Sequence, residues 1–161
     1  MTIYADASFL VFWLYIQKNA SRRKPSILFK RCVMSFFQRP KSLSEVAEHI
    51  LLGADAGMEI KDFLHEFQAC GSFAMLQQKP AALAGLVDKR AMLDSYMQAL
   101  AVYLSTKLDM DPPHWTSPPM QLPEPWFASL GSAIRNYLLL SSPGPFRTRN
   151  LFIDEDSLMV V

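Results

Sequence analysis

The stretch from Asp88 to Leu108, DKRAMLDSYMQALAVYLSTKL, decides the fold class. It contains no glycine or proline, and Leu93, Met97, Leu100, Ala101, Leu104 and Leu108 recur at helical spacing. Asp88 stands where a helix cap belongs, and Pro112-Pro113 closes the region. Upstream, Ser42-Leu43-Ser44-Glu45 reads as a capping box, in which a hydroxyl and a carboxylate each satisfy a free backbone donor. Val46, Ile50 and Leu51 then share one face up to Gly53, with Ala54 to Gly57 as a turn. A second helix places Ile60, Phe63, Leu64 and Phe67 inward and ends near Gly71. Pro80 interrupts any helix begun at Phe73.

Residues 112–125, PPHWTSPPMQLPEP, hold six of the eleven prolines and predict extended, polyproline-like chain. Trp115, Met120, Leu122 and Trp126 are too apolar for a loop that only spans a gap, so this stretch is expected as a strap across the helices. Helix is expected again from Phe127 to Leu140, with Leu130, Ile134, Tyr137 and Leu138 inward, until Pro143-Gly144-Pro145 breaks it. The tail FRTRNLFIDEDSLMVV suggests one short turn and a short extended piece. The expectation is a mainly α chain: a small helical domain over 41–161 with a proline-rich strap, and a separate N-terminal arm over 1–40 holding a short strand.

Charge separates the two parts. Residues 1–41 carry eight basic residues and one acid, a net of +7, whereas 42–161 carry eight basic and fourteen acidic residues, a net of −6. The apolar run Ala7 to Ile16 is half the length of a bilayer span and has the wrong flanks for a cleavable signal: Asp6 before it and Arg22-Arg23-Lys24 after it. It reads as a buried strand, with attachment of residues 7–41 to an anionic membrane surface as the alternative. The basic stretch Lys18 to Lys41, interleaved with Phe29, Phe36 and Phe37, suits either a solvated helix face or nucleic acid, the latter not favoured. The helix pair at 42–70 has six acids against the single cation Lys61, which argues against reading DNA. Cys32 and Cys70 are far apart and His49, His65 and His114 are scattered, so no metal spacing is present and both thiols are expected free in a cytoplasmic setting. The six glycines form no phosphate-cradling pattern, and no catalytic motif is recognisable.

Two resemblances add to this. Ile3-Tyr4-Ala5-Asp6-Ala7-Ser8-Phe9-Leu10-Val11 resembles the first strand of PIN-domain nucleases, which implies a divalent-metal ligand at Asp6 beside the hydroxyl of Ser8. No further acid occurs until Glu45, and Asp94 sits among Arg90, Leu93 and Met97 on an ordinary helix. The second is carried by SLSEVAEHI, by Leu122-Pro-Glu-Pro-Trp-Phe127 and by SSPGPFRTRNLFI from Ser141. These resemble a group of small, poorly characterised helical bacterial proteins of antitoxin or accessory type, over residues 41–158. The likeness implies a partner protein, a toxin or other co-encoded protein, and carries over no catalytic residue.

Arginines and aromatics dominate interface hot spots, which makes Trp115, Trp126, Phe127, Phe146, Arg147, Arg149, Asn150 and Phe152 the partner-binding candidates. The competing roles are core for the aromatics and, for Arg147 and Arg149, pairing with Asp154, Glu155 or Asp156 to pin the tail. The expected function is non-enzymatic binding of a partner protein, without cofactor. A PIN-type ribonuclease using Asp6, or a remnant of one, is the second reading, and peripheral membrane attachment the third.

Overall fold

The computed structural model describes residues 39–83, 90–129 and 131–159. Expectations for the arm, including Asp6, Ser8, Cys32 and the short strand, lie outside these residues, as does the Asp88 cap. The described part is mainly helical, with six helices and one two-stranded ladder.

Ser42 begins α1 (Leu43–Leu51) as its sequence proposes. The Ser42 hydroxyl accepts the Glu45 N–H at 3.2 Å, and the Glu45 carboxylate accepts the Lys41 N–H at 2.7 Å. Each such cap contributes about 1 kcal/mol. Leu43, Val46, Ala47 and Ile50 are buried, whereas Leu51 points outward, one residue past the inward face. Gly53, at φ +102°, supplies the left-handed turn that lets the chain reverse. The expected turn at Ala54–Gly57 is shorter than proposed, because Asp55 already caps α2 (Ala56–Cys70) by accepting the Met58 N–H at 2.9 Å. Ile60, Phe63, Leu64 and Phe67 close against α1, and Gly71 ends the helix at φ +56°. A single turn, α3 (Ala74–Gln77), follows before Pro80.

The central element is α4 (Arg90–Lys107). Met97, Leu100, Ala101 and Leu104 of the expected stripe are buried, and so are Ser95, Gln98, Ala99 and Tyr103 from other faces. A helix buried around most of its girth must offer hydrogen bonds to its polar side chains. The strap supplies them. The Gln98 amide donates to the carbonyls of Pro118 at 3.1 Å and Trp115 at 3.4 Å, and its oxygen accepts the Met120 N–H at 2.6 Å. Ser95 donates to the Met120 carbonyl at 2.6 Å, and the Trp115 indole N–H donates to the Leu76 carbonyl at 2.9 Å. Prolines suit this path, since a strap held from outside needs acceptors more than donors of its own.

After the strap the structure departs from the expected helix at Phe127. Trp126–Phe127 is β1, paired in parallel with β2 (Leu151–Phe152) in the register Trp126↔Leu151 and Phe127↔Phe152. Parallel pairing requires a crossover. Two helices provide it: α5 (Ser132–Ser141) and α6 (Gly144–Arg147). Of the inward set proposed for this region Leu130 lies outside the described residues, Leu138 is buried, and Ile134 and Tyr137 are 50% and 53% exposed, because α5 touches the fold along one edge. A 3-10 turn at Glu155–Leu158 ends the described chain, capped by Asp154.

Candidate functional site

The eight residues singled out by sequence do not form one patch. Phe146 is fully buried, with its ring against the edges of Tyr96 (5.2 Å) and Tyr103 (6.3 Å). Arg149 is 4% exposed and faces inward. Its guanidinium donates to Gln98 Oε1 at 3.0 Å and to the carbonyls of Pro145 at 2.9 Å and Thr116 at 3.3 Å. None of these partners is an acid, so the expected pairing of Arg149 with Asp154, Glu155 or Asp156 is not what forms. Glu155 instead accepts from Tyr103 at 2.7 Å and Lys107 at 3.1 Å, bonds that hold its carboxyl below the usual range. Phe146 and Arg149 are therefore fold residues rather than contact residues.

The others divide by environment. Trp115, on the strap itself, is half-buried, and Asn150, at φ +59°, donates to the Leu122 carbonyl at 2.7 Å and turns the chain into β2. Phe127 and Phe152 stack at 4.8 Å with Arg135 5.3 Å over the Phe127 ring. Arg147 is exposed and makes neither a hydrogen bond nor an ion pair with its side chain. Trp115 lines a small pocket of about 280 Å³ beneath Pro118 and Met120, and Trp126 lies on a larger concave surface.

That surface is a groove of about 1050 Å³. Its floor is Ile50, Ile60 and Leu64; Met92, Leu93, Tyr96 and Trp126 make up its half-buried wall. Asp55, Lys61, Asp156 and Met159 stand exposed on its rim. Tyr96 and Met92, four residues apart on α4, lie off the stripe read from sequence. The legible signal for them was that α4 is apolar on more than one side, which a helix packed on one face does not need. Just behind the groove His49 Nδ1 and Glu59 Oε2 meet at 2.6 Å and tie α1 to α2.

Tyr96 makes no hydrogen bond, yet no buried side-chain polar atom among the described residues lacks a partner, so its hydroxyl reaches the groove. Burial of the ring raises its pKa from 10.0 to about 12. The fold thus favours the neutral phenol, and its stabilising contribution is complete below pH 10.0 and lost as pH rises towards about 12. In an alkaline absorbance titration of the folded protein, Tyr96 is expected to contribute a phenolate step near pH 12 that Tyr96→Phe removes, while Tyr103, also raised by burial and its bond to Glu155, is followed separately in Tyr103→Phe. A step that survives the substitution would assign it elsewhere.

Neither nucleophile–base pair nor metal cluster lines the groove. Among the described residues no three His, Cys, Asp or Glu side chains converge as a metal site requires. Asp94 is engaged in structure, accepting the Leu83 N–H at 2.9 Å. Cys70 is exposed and free. No helix among the described residues is long and apolar enough to cross a membrane. No protein-family model, curated protein or solved structure matches the chain.

Proposed function

We propose that the chain is a non-enzymatic protein-interaction component of antitoxin or accessory type, acting in the cytoplasm by binding a partner protein. The observation that carries this reading is the groove between α2, α4 and Trp126. At about 1050 Å³ it stands at the upper end of the few hundred to roughly 1,000 Å³ typical of small-molecule pockets, and it is open along its rim. Its floor is apolar and its polar groups sit at the edge, the arrangement of a protein contact with a dry centre and a wet rim. Around it, the interior is well satisfied in its hydrogen bonds. The exposed apolar surface is therefore not a by-product of a poorly formed core.

The full chain purified from lysate of its source organism is expected to carry one stoichiometric protein partner, as measured by light scattering on the eluted complex. Elution of the chain without protein, but with magnesium-dependent cleavage of RNA that Asp6→Asn abolishes, would replace this reading with the nuclease.

A further inference from the structure

We infer that the outer edge of β1 takes an extended segment of the partner protein as a third strand; the inference rests on the protein-binding reading and names the conformation that binds. Three observations carry it: the backbone groups of β1 that the fold leaves free, the difference between the two sides of the ladder, and the lack of charge along the free one.

The ladder uses one side of β1. The Trp126 N–H donates to the Asn150 carbonyl at 2.8 Å, and the Ala128 N–H donates to the Phe152 carbonyl at 3.0 Å. Backbone groups of successive strand residues face opposite ways, so the N–H and C=O of Phe127 point away from β2. Neither makes a hydrogen bond among the described residues. The Pro125 carbonyl and the Ser129 N–H, two residues to either side, make none either. Carbonyl, N–H, carbonyl and N–H at this spacing are what an added strand satisfies group for group. A helix has spent its own backbone groups internally and has few to offer them.

The β2 side of the ladder lies in the core. Leu151 and Ile153 are 0% and 2% exposed, and the Ser142 hydroxyl donates to the Ile153 carbonyl at 2.7 Å. On the β1 side Pro125 and Ala128 are exposed, and Phe127 and Ser129 are half-buried. A third strand therefore has room beside β1 and not beside β2.

Natural sheets guard their open edges with lysines, inward-pointing charges or prolines. Residues 126–132, WFASLGS, contain no charge. Pro123 and Pro125 stand just before them and end the edge on that side, which confines an added strand to residues 125–129. So short a ladder needs side-chain anchors as well. Each face of β1 offers apolar surface: Trp126 lines the groove, and Phe127, on the opposite face, stacks on Phe152 at 4.8 Å. The incoming strand is accordingly one whose alternate residues are β-branched or aromatic.

The test uses the full chain labelled with nitrogen-15 and a synthetic peptide of about ten residues, alternating valine and threonine with lysine at each end. Its control is the same peptide N-methylated at every residue, which keeps the side chains and removes the backbone donors. In amide exchange followed by NMR, Phe127 of the free chain is expected to exchange at least about ten-fold faster than Trp126 and Ala128. Peptide at about 1 mM is expected to slow Phe127 about ten-fold, and the N-methylated peptide to leave it unchanged. Phe127→Pro, which removes the free donor, is expected to weaken peptide binding about ten-fold, and Ser129→Pro about three-fold. Since Phe127 also stacks on Phe152, circular dichroism accompanies the first variant. Amide exchange on the unaltered chain decides the matter if either variant unfolds. No slowing of Phe127, or equal binding of the two peptides, would overturn the inference. Phe127 protection in the free chain that rises with protein concentration, alongside a dimer in light scattering, would overturn it too, by assigning the edge to a second copy.

The same measurements separate this inference from the broader reading. A natural partner held equally by wild type, Phe127→Pro and Ser129→Pro, with Phe127 still exchanging freely in the complex, would keep protein binding and sink the edge. A chain that takes the peptide along β1 but brings no partner from lysate would keep the edge and sink the accessory reading.

Discussion

Arg149→Met is expected to lower stability by about 3 kcal/mol, moving the urea midpoint down by roughly 1.5–2 M. Two effects oppose each other. Burial lowers the Arg149 pKa, which shows that the interior penalises its charge, and removing a desolvated cation returns some of that cost. Against this stand three charge-assisted bonds that converge on one guanidinium from Gln98, Pro145 and Thr116. Hydrogen bonds to charged groups contribute about 1.5–3 kcal/mol each. The bonds win because the substitution leaves the Thr116 carbonyl without this donor while the site is shut to solvent. Arg149→Lys is expected to fare no better, since an ammonium carries charge but lacks the planar fork that reaches three segments. A lysine variant as stable as wild type would show that charge alone matters here.

Phe146→Ala is expected to cost about 3–5 kcal/mol and to lower the thermal midpoint by roughly 10–15 °C. The ring is completely buried and joins α6 to α4 through edge contacts with Tyr96 and Tyr103. Those contacts add about 0.5–1.5 kcal/mol each to the area term. α6 is a single turn, too short to hold itself against α4 by backbone bonds. Differential scanning calorimetry on the full chain measures the effect. A loss of partner binding with an unchanged melting temperature would return Phe146 to the interface role proposed from sequence.

Helix positions and their inward faces were legible where a segment packs on one side. Ile60, Phe63, Leu64 and Phe67 all lie where their spacing puts them, and Ser42 caps where its sequence places it. Periodicity misled at Ile134 and Tyr137, since an apolar stripe announces that a face wants covering without saying by what. It was also silent about Trp126–Phe127, because a two-residue parallel pair takes its bonds from a partner 25 residues away and leaves no local pattern. The pairing of Arg149 was misread for a related reason. Nearby acids in sequence suggested salt bridges, but Arg149 found its acceptors on Gln98 and Thr116, which only the fold brings within reach. The groove was the least legible feature, being assembled from α1, α2, α4 and Trp126 together.

The Gln98 amide is saturated, with two acceptor bonds on its oxygen and two donor bonds from its nitrogen. Strap and tail thereby share one keystone, and neither can lift from α4 while the other keeps its full set of bonds. A proline-rich segment with almost no secondary structure of its own thus acquires the opening cost of the helix beneath it. Its amide protons, that of Met120 first among them, should exchange with solvent only when the tail lets go as well. Irregular chain is ordinarily the first part of a domain to breathe; here it is timed to the last.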